Sequence, residues 1–203
     1  MRVLGFDTSA AHCAAALLSG DEIVVSRIET MAKGQAERLM PLLEELLAEA
    51  GLGWADLDAI GVGTGPGNFT GTRIAVAAAR GLALGLGLQA EGIGAVEAYA
   101  QGRAVTVCLP APRGAVHVGW GDAVVTLSEH EAPPPHWPAD LTGPAAEALA
   151  ARLGRPHRPT PDLAEGIARI AAARAAPGRP RPAPIYLRPA DAAPASDPPP
   201  RLI

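Results

Sequence analysis

The chain has 203 residues, of which 48% are hydrophobic and only 3% aromatic, and its formal net charge is −4. This length can bury one large core or two small ones, built mainly from Leu, Val, Ile and Ala. A protein that binds nucleic acid alone usually presents a basic surface, which the negative net charge argues against. We therefore expect other proteins to make most contacts to any nucleic acid.

The two cysteines, Cys13 and Cys108, form no metal-binding motif. We expect both to be small buried side chains in a protein of the reducing cytoplasm. Asp7 interrupts the apolar start of the chain, so no signal peptide is expected. No apolar run reaches the ~18 residues that cross a membrane, so no membrane segment is expected either.

The first hundred residues predict three strands, followed by helices that alternate with strands. The turn at 19–21 joins the second and third apolar runs into a hairpin. Leucines recur at three- and four-residue steps in 35–50, which predicts an amphipathic helix. The predicted elements are strands at 3–6, 13–18, 22–28, 59–63 and 90–93 and helices at 35–50, 70–86 and 96–101.

The sequence changes character after Gly102. Strands are predicted at 104–109, 115–120 and 123–127, and helices at 145–153 and 163–176. From Pro177 onward there are nine prolines in 27 residues, so we expect a loose tail that docks where its apolar residues cluster. The predicted parts are a lobe at 1–101, a reduced lobe at 102–176 and a tail at 177–203 that is docked at 184–189.

The block GVGTGPGNFTGTRIAVAAARG at 61–81 looks like a phosphate-binding loop that leads into a helix. It lacks the lysine of a Walker A loop, and Asn68 replaces the last glycine of a dinucleotide fingerprint. A looser phosphate contact stays open, because backbone N–H groups at a helix start attract anions. The alternative is a tight turn before a helix capped by Asn68 or Thr70.

Small side chains line one face of the helix at 70–86. Glycine inside a helix costs about 1 kcal/mol relative to alanine, so glycines on one stripe suggest another backbone close by. That neighbour is either the chain's own sheet or a partner, and the wide apolar arc of the helix at 35–50 favours a partner. The predicted partner interface contains Leu39, Leu42, Leu43, Leu46, Gly71, Ala75, Ala78, Leu82 and Gly85.

Four segments together resemble the TsaB (YeaZ) family, a bacterial subunit of the machinery that makes threonylcarbamoyladenosine next to the anticodon of tRNA. The resemblance is close over 1–101 and weak over 102–176. The segments are VLGFDTSAAHCAAAL at 3–17, AERLMPLLEELLAEAG at 36–51, DAIGVGTGPGNFTGTRIAVAAARGLALG at 58–85 and PIYLRP at 184–189.

This resemblance implies an α/β fold of the actin and Hsp70 ATPase type, with two ribonuclease-H-like lobes and a shortened second lobe. It also implies a related catalytic subunit, TsaD, which transfers the threonylcarbamoyl group with a metal held by an HxxxH motif. The corresponding stretch here, 93–99, contains no histidine. Two imidazoles four residues apart form a metal site, whereas Ala, Val and Glu do not. We therefore expect a non-catalytic subunit with no metal that supports TsaD.

The resemblance further implies that the first two helices pair with the same helices of TsaD, or of a second copy in a homodimer. A TsaE-like ATPase is the other expected partner, and tRNA is expected only through the complex. No cofactor of its own is expected, while ATP or ADP at the complex interface stays open. The scattered histidines are expected to be ordinary surface or strand residues: His12, His117, His130, His136 and His157.

Asp7, Thr8, Gly65 and Gly67 are the candidates for cofactor contact. In ATPases of the implied fold, an aspartate at the end of the first strand holds Mg²⁺–nucleotide, with Thr8 then near phosphate. The alternative is an aspartate that closes a turn. Two other functions stay open: an actin-type small-molecule kinase or ATPase, which would need a second phosphate loop in 104–176, and a metallopeptidase of the M22 type, which would need a metal site and a base.

Overall fold

A computed structural model describes residues 1–187 and contains two β-sheets with helices on their faces. Every strand and helix predicted from the sequence is present, and the ends differ by no more than two residues. The strands and helices are β1 (Arg2–Asp7), β2 (His12–Ser19), β3 (Glu22–Thr30), α1 (Gln35–Glu49), β4 (Ala59–Gly63), α2 (Phe69–Leu86), β5 (Gln89–Ile93), α3 (Ala95–Ala100), β6 (Thr106–Pro110), β7 (Val116–Trp120), β8 (Ala123–Leu127), β9 (Leu141–Thr142), α4 (Ala146–Leu153) and α5 (Leu163–Arg174).

The first sheet has the strand order β3-β2-β1-β4-β5. β1 pairs antiparallel with β2 and parallel with β4, and β5 runs parallel to β4. Side chains alternate between its faces: Leu4 and Phe6 of β1 pack with α1 and α2, whereas Val3 packs with α3 and α5. The sheet is therefore the middle layer of three.

The helix α5 lies directly on the first sheet, although it follows the whole second sheet in the chain. A Cβ at Gly5 would lie 2.7 Å from the backbone nitrogen of Ala168, and one at Gly61 would lie 2.8 Å from the Cβ of Ala171. These glycines allow the helix to approach β1 and β4 closely. The predicted lobe at 102–176 includes α5 by its position in the chain, but the helix packs against the first sheet.

The second sheet has the strand order β8-β7-β6-β9 and packs against α4. β9 spans only Leu141–Thr142 and pairs parallel with β6. Two residues are too few to show strand periodicity, so the sequence did not predict this strand. Both cysteines are free and buried, as expected, and burial raises the pKa of Cys13 to about 11 and that of Cys108 to about 12.

The described part of the tail, 177–187, forms no helix or strand. It passes β5, where Pro182 packs beside Gly92, and reaches the glycine loop, where the Ile185 N–H donates to the Thr64 carbonyl at 2.8 Å. The last two positions of the docked segment predicted at 184–189 lie outside the described residues. No helix within 1–187 has the length and apolar character needed to cross a membrane.

Candidate functional site

The glycine-rich loop turns the chain from β4 into α2, and Asn68 is the N-cap of that helix. Its side-chain oxygen accepts a hydrogen bond from the Gly71 N–H at 2.9 Å, and its carbonyl oxygen accepts one from the Thr72 hydroxyl at 2.9 Å. Of the two predicted caps, the structure thus uses Asn68. The cap oxygen occupies one of the amide donors that a phosphate at this helix start would need.

The same loop packs against the β1–β2 connection. A Cβ at Gly67 would collide with the carbonyl oxygen of Ser9, and one at Gly71 would collide with that of Thr8. The Asn68 N–H donates to the Ser9 carbonyl at 2.6 Å, and the Thr8 hydroxyl donates to the Gly71 carbonyl at 2.7 Å. Glycine is therefore required here for contact within the chain, and a second amide donor of the loop is already bonded.

Asp7 is fully buried at the end of β1. Its Oδ1 accepts hydrogen bonds from the Ser9 N–H at 2.7 Å and the Ser9 hydroxyl at 2.9 Å, and it lies 2.8 Å from Nε2 of His12. Within 1–187, Oδ2 has no hydrogen-bond partner. Asp7 closes a turn. Its contact with His12 could not be predicted from the sequence, because β1–β2 pairing sets Asp7 opposite Ala14.

A cavity of about 380 Å³ opens between the two sheets next to this turn. Ser9, His12 and Asn68 line it from the first sheet's side, and His117 lines it from β7. Tyr99 of α3 also faces it, and burial together with the charge of Asp7 raises the pKa of its phenol, so this group stays neutral. Among the described residues its lining contains these two histidines but no lysine or arginine.

The four candidate cofactor residues surround this turn. Asp7 and Thr8 end β1, Gly67 contacts Ser9, and Gly65 has a φ of 87° and lies next to Thr72 and Ile185. The structure thus brings them into one neighbourhood. Their polar groups are largely engaged within the chain, and nucleotide contact through them stays a prediction.

The predicted partner interface needs a correction. The side chains of Leu39, Leu42, Leu43 and Leu46 are at most 1% exposed and pack against the first sheet, and Gly71 and Ala75 are also buried. These six residues therefore do not form an exposed contact surface. The wide apolar arc of α1 favoured a partner surface in the sequence. In the structure its leucines fill the space above the first sheet, which has small residues such as Ala15 on this face.

The other three predicted positions differ. Ala78 and Leu82 are half-buried against the same core, and Gly85 is exposed. A Cβ built at Gly85, or at Gly81, would meet no atom within 4 Å. The neighbouring Leu84 is 81% exposed, the highest value among the exposed large hydrophobic side chains of the described chain. The exposed small and apolar residues of the second half of α2 are therefore Gly81, Leu84 and Gly85. The predicted stripe instead ran through Ala78 and Leu82.

The helix α3 occupies the position that the resemblance assigns to the HxxxH motif. Its residues Val96, Ala98 and Tyr99 are buried, and Val96 packs closely against Gly119 of β7. Across 1–187, no group of three or more His, Cys, Asp or Glu side chains is arranged to hold a metal ion. In this chain the helix serves as packing between the two sheets.

The two sheets and the cavity between them define the class of protein: a two-lobed α/β fold of the actin-like ATPase type. Two solved structures share this fold at low identity. A 2-hydroxyglutaryl-CoA dehydratase component of Acidaminococcus fermentans has a TM-score of 0.55 at 12% identity, covering 83% of this chain and 96% of that one. The ethanolamine utilization protein EutJ of Carboxydothermus hydrogenoformans has 0.54 at 14%, covering 83% and 89%.

The model of the TsaD family, tRNA N6-adenosine threonylcarbamoyltransferase, matches residues 22–169, and the chain belongs to this family. A Pseudomonas aeruginosa protein with similarity to peptidase YeaZ has a TM-score of 0.74 at 27% identity, covering 92% of this chain and 99% of that one. YeaZ of the same organism has 0.71 at 27%, with the same coverage. The chain is thus of the YeaZ (TsaB) type.

A curated tRNA N6-adenosine threonylcarbamoyltransferase of Erythrobacter litoralis is 35% identical over 74 residues. The match covers 29% of this chain and 22% of that protein. The chain thus corresponds to about a fifth of the length of this relative, whereas it corresponds to nearly all of the YeaZ structures.

Proposed function

We propose that this chain is a non-catalytic subunit that holds and activates a TsaD-type catalytic subunit. That subunit transfers a threonylcarbamoyl group to the N6 amine of the adenosine next to the anticodon, in tRNAs that read codons beginning with A. The family description supports the reaction. The near-complete match to YeaZ, against a match to only 22% of a transferase, supports a subunit role.

The observation that carries the proposal is the packing of α3. The family resemblance implies two imidazoles on this helix in the catalytic subunit, whereas here the helix fills the space between the sheets with Val96, Ala98 and Tyr99. This packing supports the proposal that the metal-dependent transfer takes place in another subunit.

The second half of α2 is the surface we propose for association. We define the α2 outer face as Ala77, Arg80, Gly81, Leu84 and Gly85, all of which are exposed. Glycine in a helix interior costs about 1 kcal/mol relative to alanine, and no contact within the described chain explains Gly81 or Gly85. Close approach of another helix would explain both, with Leu84 as the apolar anchor.

Charge supports association between like surfaces. Glu37 and Glu44 on α1 are exposed and have no ion-pair partner within 1–187, unlike Glu45, which Arg38 and Arg27 engage. Arg80 on the α2 outer face likewise has none there. An acidic α1 beside a basic α2 is self-complementary under a two-fold axis, so a second copy, or a TsaD-type subunit with similar helices, fits this surface.

The remaining partners are proposed on the same basis. We propose that a TsaE-type ATPase and tRNA join through the complex, and that any ATP or ADP binds at its interface. The net charge of −4 supports indirect tRNA contact. The cavity lining without lysine or arginine supports a nucleotide site outside this chain's own cleft.

The test is to mix the purified chain with the TsaD-type protein of the same cell. Mass is followed by light scattering, and threonylcarbamoyladenosine on tRNA is measured with threonylcarbamoyl adenylate supplied. We expect a defined complex, and modification only when both proteins are present. Equal modification without this chain, or ATP turnover by this chain alone, would contradict the proposal.

Two variants locate the interface. Leu84→Arg and Gly85→Leu should each weaken association by roughly tenfold or more, because a charge or a large side chain blocks close helix contact. Both positions are exposed, so we expect both variants to fold normally. Circular dichroism spectra that match the spectrum of the unaltered chain would confirm this. Ile28→Arg is the matched control: its side chain is 49% exposed on β3 and lies on the opposite face from Arg27 and Glu29, which reach α1.

Unaltered association of both α2 variants would show that the partner binds elsewhere. A loss with Ile28→Arg equal to that with Leu84→Arg would show that added positive charge, rather than the α2 outer face, is responsible.

A further inference from the structure

Residues 179–187 of the tail, which we name the strap, lie across the edge strand β5 and end beside the first turn of α2. The strap contacts the first lobe at three successive points. Each point joins it to a different segment: β5, the glycine loop and the start of α2. Contacts that merely tether a tail would not need to reach all three.

The first contact is between charged groups. Glu91 of β5 is 2% exposed, and its Oε2 accepts a hydrogen bond from Nε of Arg179 at 2.9 Å. The other oxygen, Oε1, is buried without a hydrogen-bond partner in the described chain. A buried carboxylate is costly without a counter-charge. Loss of Arg179 would leave Glu91 without the hydrogen bond and counter-charge described here, and so should destabilise β5.

The second contact lies at the glycine loop. Pro182 packs beside Gly92 and Thr64, and the Ile185 N–H donates to the Thr64 carbonyl at 2.8 Å. The side chain of Ile185 also approaches Gly94, next to the bond that the Ala95 N–H donates to the Gly65 carbonyl at 2.7 Å. The strap therefore contacts the loop at Thr64 and Gly65, whereas Ser9 contacts it at Gly67 and Asn68.

The third contact is at the first turn of α2. Nε of Arg73 donates to the Tyr186 hydroxyl at 2.8 Å, and its guanidinium lies 3.7 Å from the centroid of the Phe69 ring. The rings of Phe69 and Tyr186 are 5.1 Å apart. Arg73 is thus held by an aromatic side chain of its own helix and by one from the strap.

We propose that the strap is a conformational device that fixes the glycine loop and the first turn of α2, so that partner association through α2 depends on a docked strap. This proposal rests on the proposed function for its second half only. Ser9 supports the loop at Gly67 and Asn68, the strap supports it at Thr64 and Gly65, and α2 begins directly after it. Release of the strap removes one of these two supports and leaves the helix start free to fray.

The test compares two truncated chains by hydrogen exchange. A chain that ends after Gly178 lacks the strap, and a chain that ends after Leu187 keeps every contact described above and is the matched control. We expect exchange of the amides in 64–73 to rise by roughly tenfold in the first chain only. Association with the TsaD-type protein should weaken several-fold in the same chain, and a peptide of residues 179–187 added in excess should restore both properties.

Point variants cover the case in which the shorter chain does not fold. Tyr186→Ala removes the third contact and Arg179→Ala the first, while Tyr186→Phe keeps the ring and removes only the hydrogen bond to Arg73. Protection of 64–73 should fall in the order Tyr186→Phe, Tyr186→Ala, and the double variant Arg179→Ala with Tyr186→Ala should lose the most.

The outcomes separate the strap from the proposed function. Unchanged exchange in 64–73 without the strap overturns the conformational device, whatever the partner does. Faster exchange with unaltered association shows that the strap does not govern the partner surface, which overturns the coupling. If the full-length chain itself does not associate, the proposed function fails, while the exchange measurement still decides whether the strap fixes the loop.

Discussion

The glycines of α2 and its approach loop fall into two groups that look alike in sequence and differ in the structure. At Gly67 and Gly71, an added Cβ would collide with the backbone of the β1–β2 connection, whereas at Gly81 and Gly85 it would meet nothing within 4 Å. The first group is explained by contact within the chain. The second is unexplained by the described residues and is where we propose that a partner approaches.

A stripe of small residues on one helix can thus have two causes along its length: contact within the chain at one end and, as we propose, contact with a partner at the other. The stripe predicted from the sequence joined Gly71 and Ala75, which are buried, to Gly85, which is exposed. A face drawn at spacings of three and four residues drifts around the helix, because a turn contains 3.6 residues. Only the packing shows where the inward side ends.

The largest effect is expected from Gly71→Ala. The added methyl group must displace the Thr8 carbonyl, a backbone atom that cannot move alone, so we expect a loss of about 3 kcal/mol in the free energy of unfolding. Urea denaturation measures this loss. A loss of less than ~1 kcal/mol would mean that the β1–β2 connection moves to accept the methyl group, and that the two groups of glycines do not differ in their need for glycine.

A smaller effect is expected from Asn68→Ala. It removes the cap oxygen that accepts the Gly71 N–H, and loss of a helix cap costs about 1 kcal/mol. Thermal unfolding followed by circular dichroism should show a lower midpoint. Asn68→Asp is the control, because aspartate caps equally well and the backbone bond to Ser9 remains in both variants. A similar loss with Asp would show that the cap oxygen is not the stabilising feature of this side chain.

The smallest effect, and one of opposite sign, is expected from Gly81→Ala. With open space around its Cβ, alanine should raise the free energy of unfolding by up to about 1 kcal/mol through helix propensity. In the same variant, association should weaken modestly if a partner helix approaches here. Higher stability with unaltered association would contradict the proposed interface at Gly81, because this glycine would then have neither an internal contact nor a partner contact.

Much of the site could be predicted from residues alone, and the misses have physical causes. The helices and every strand except β9 followed from periodicity, and the two candidate caps, Asn68 and Thr70, followed from their side-chain chemistry; all of these are local properties. The contact between Asp7 and His12 did not follow, because the two residues are not opposite each other in the β1–β2 ladder. The burial of Leu39 and its neighbours did not follow either, since an amphipathic arc does not state what covers it.

The amino-acid sequence was enough to predict the order of the elements, the burial of both cysteines and the family resemblance, because each depends on short segments. It left Asn68 and Thr70 as alternative caps of α2, and the structure shows that Asn68 is used. The tertiary structure alone decided that α5 returns to the first sheet, that Gly67 and Gly71 serve the β1–β2 turn, and that Arg179 reaches Glu91 from a segment 88 positions away. Those facts depend on which distant segments meet, and burial and close packing fix that only when the whole chain is folded.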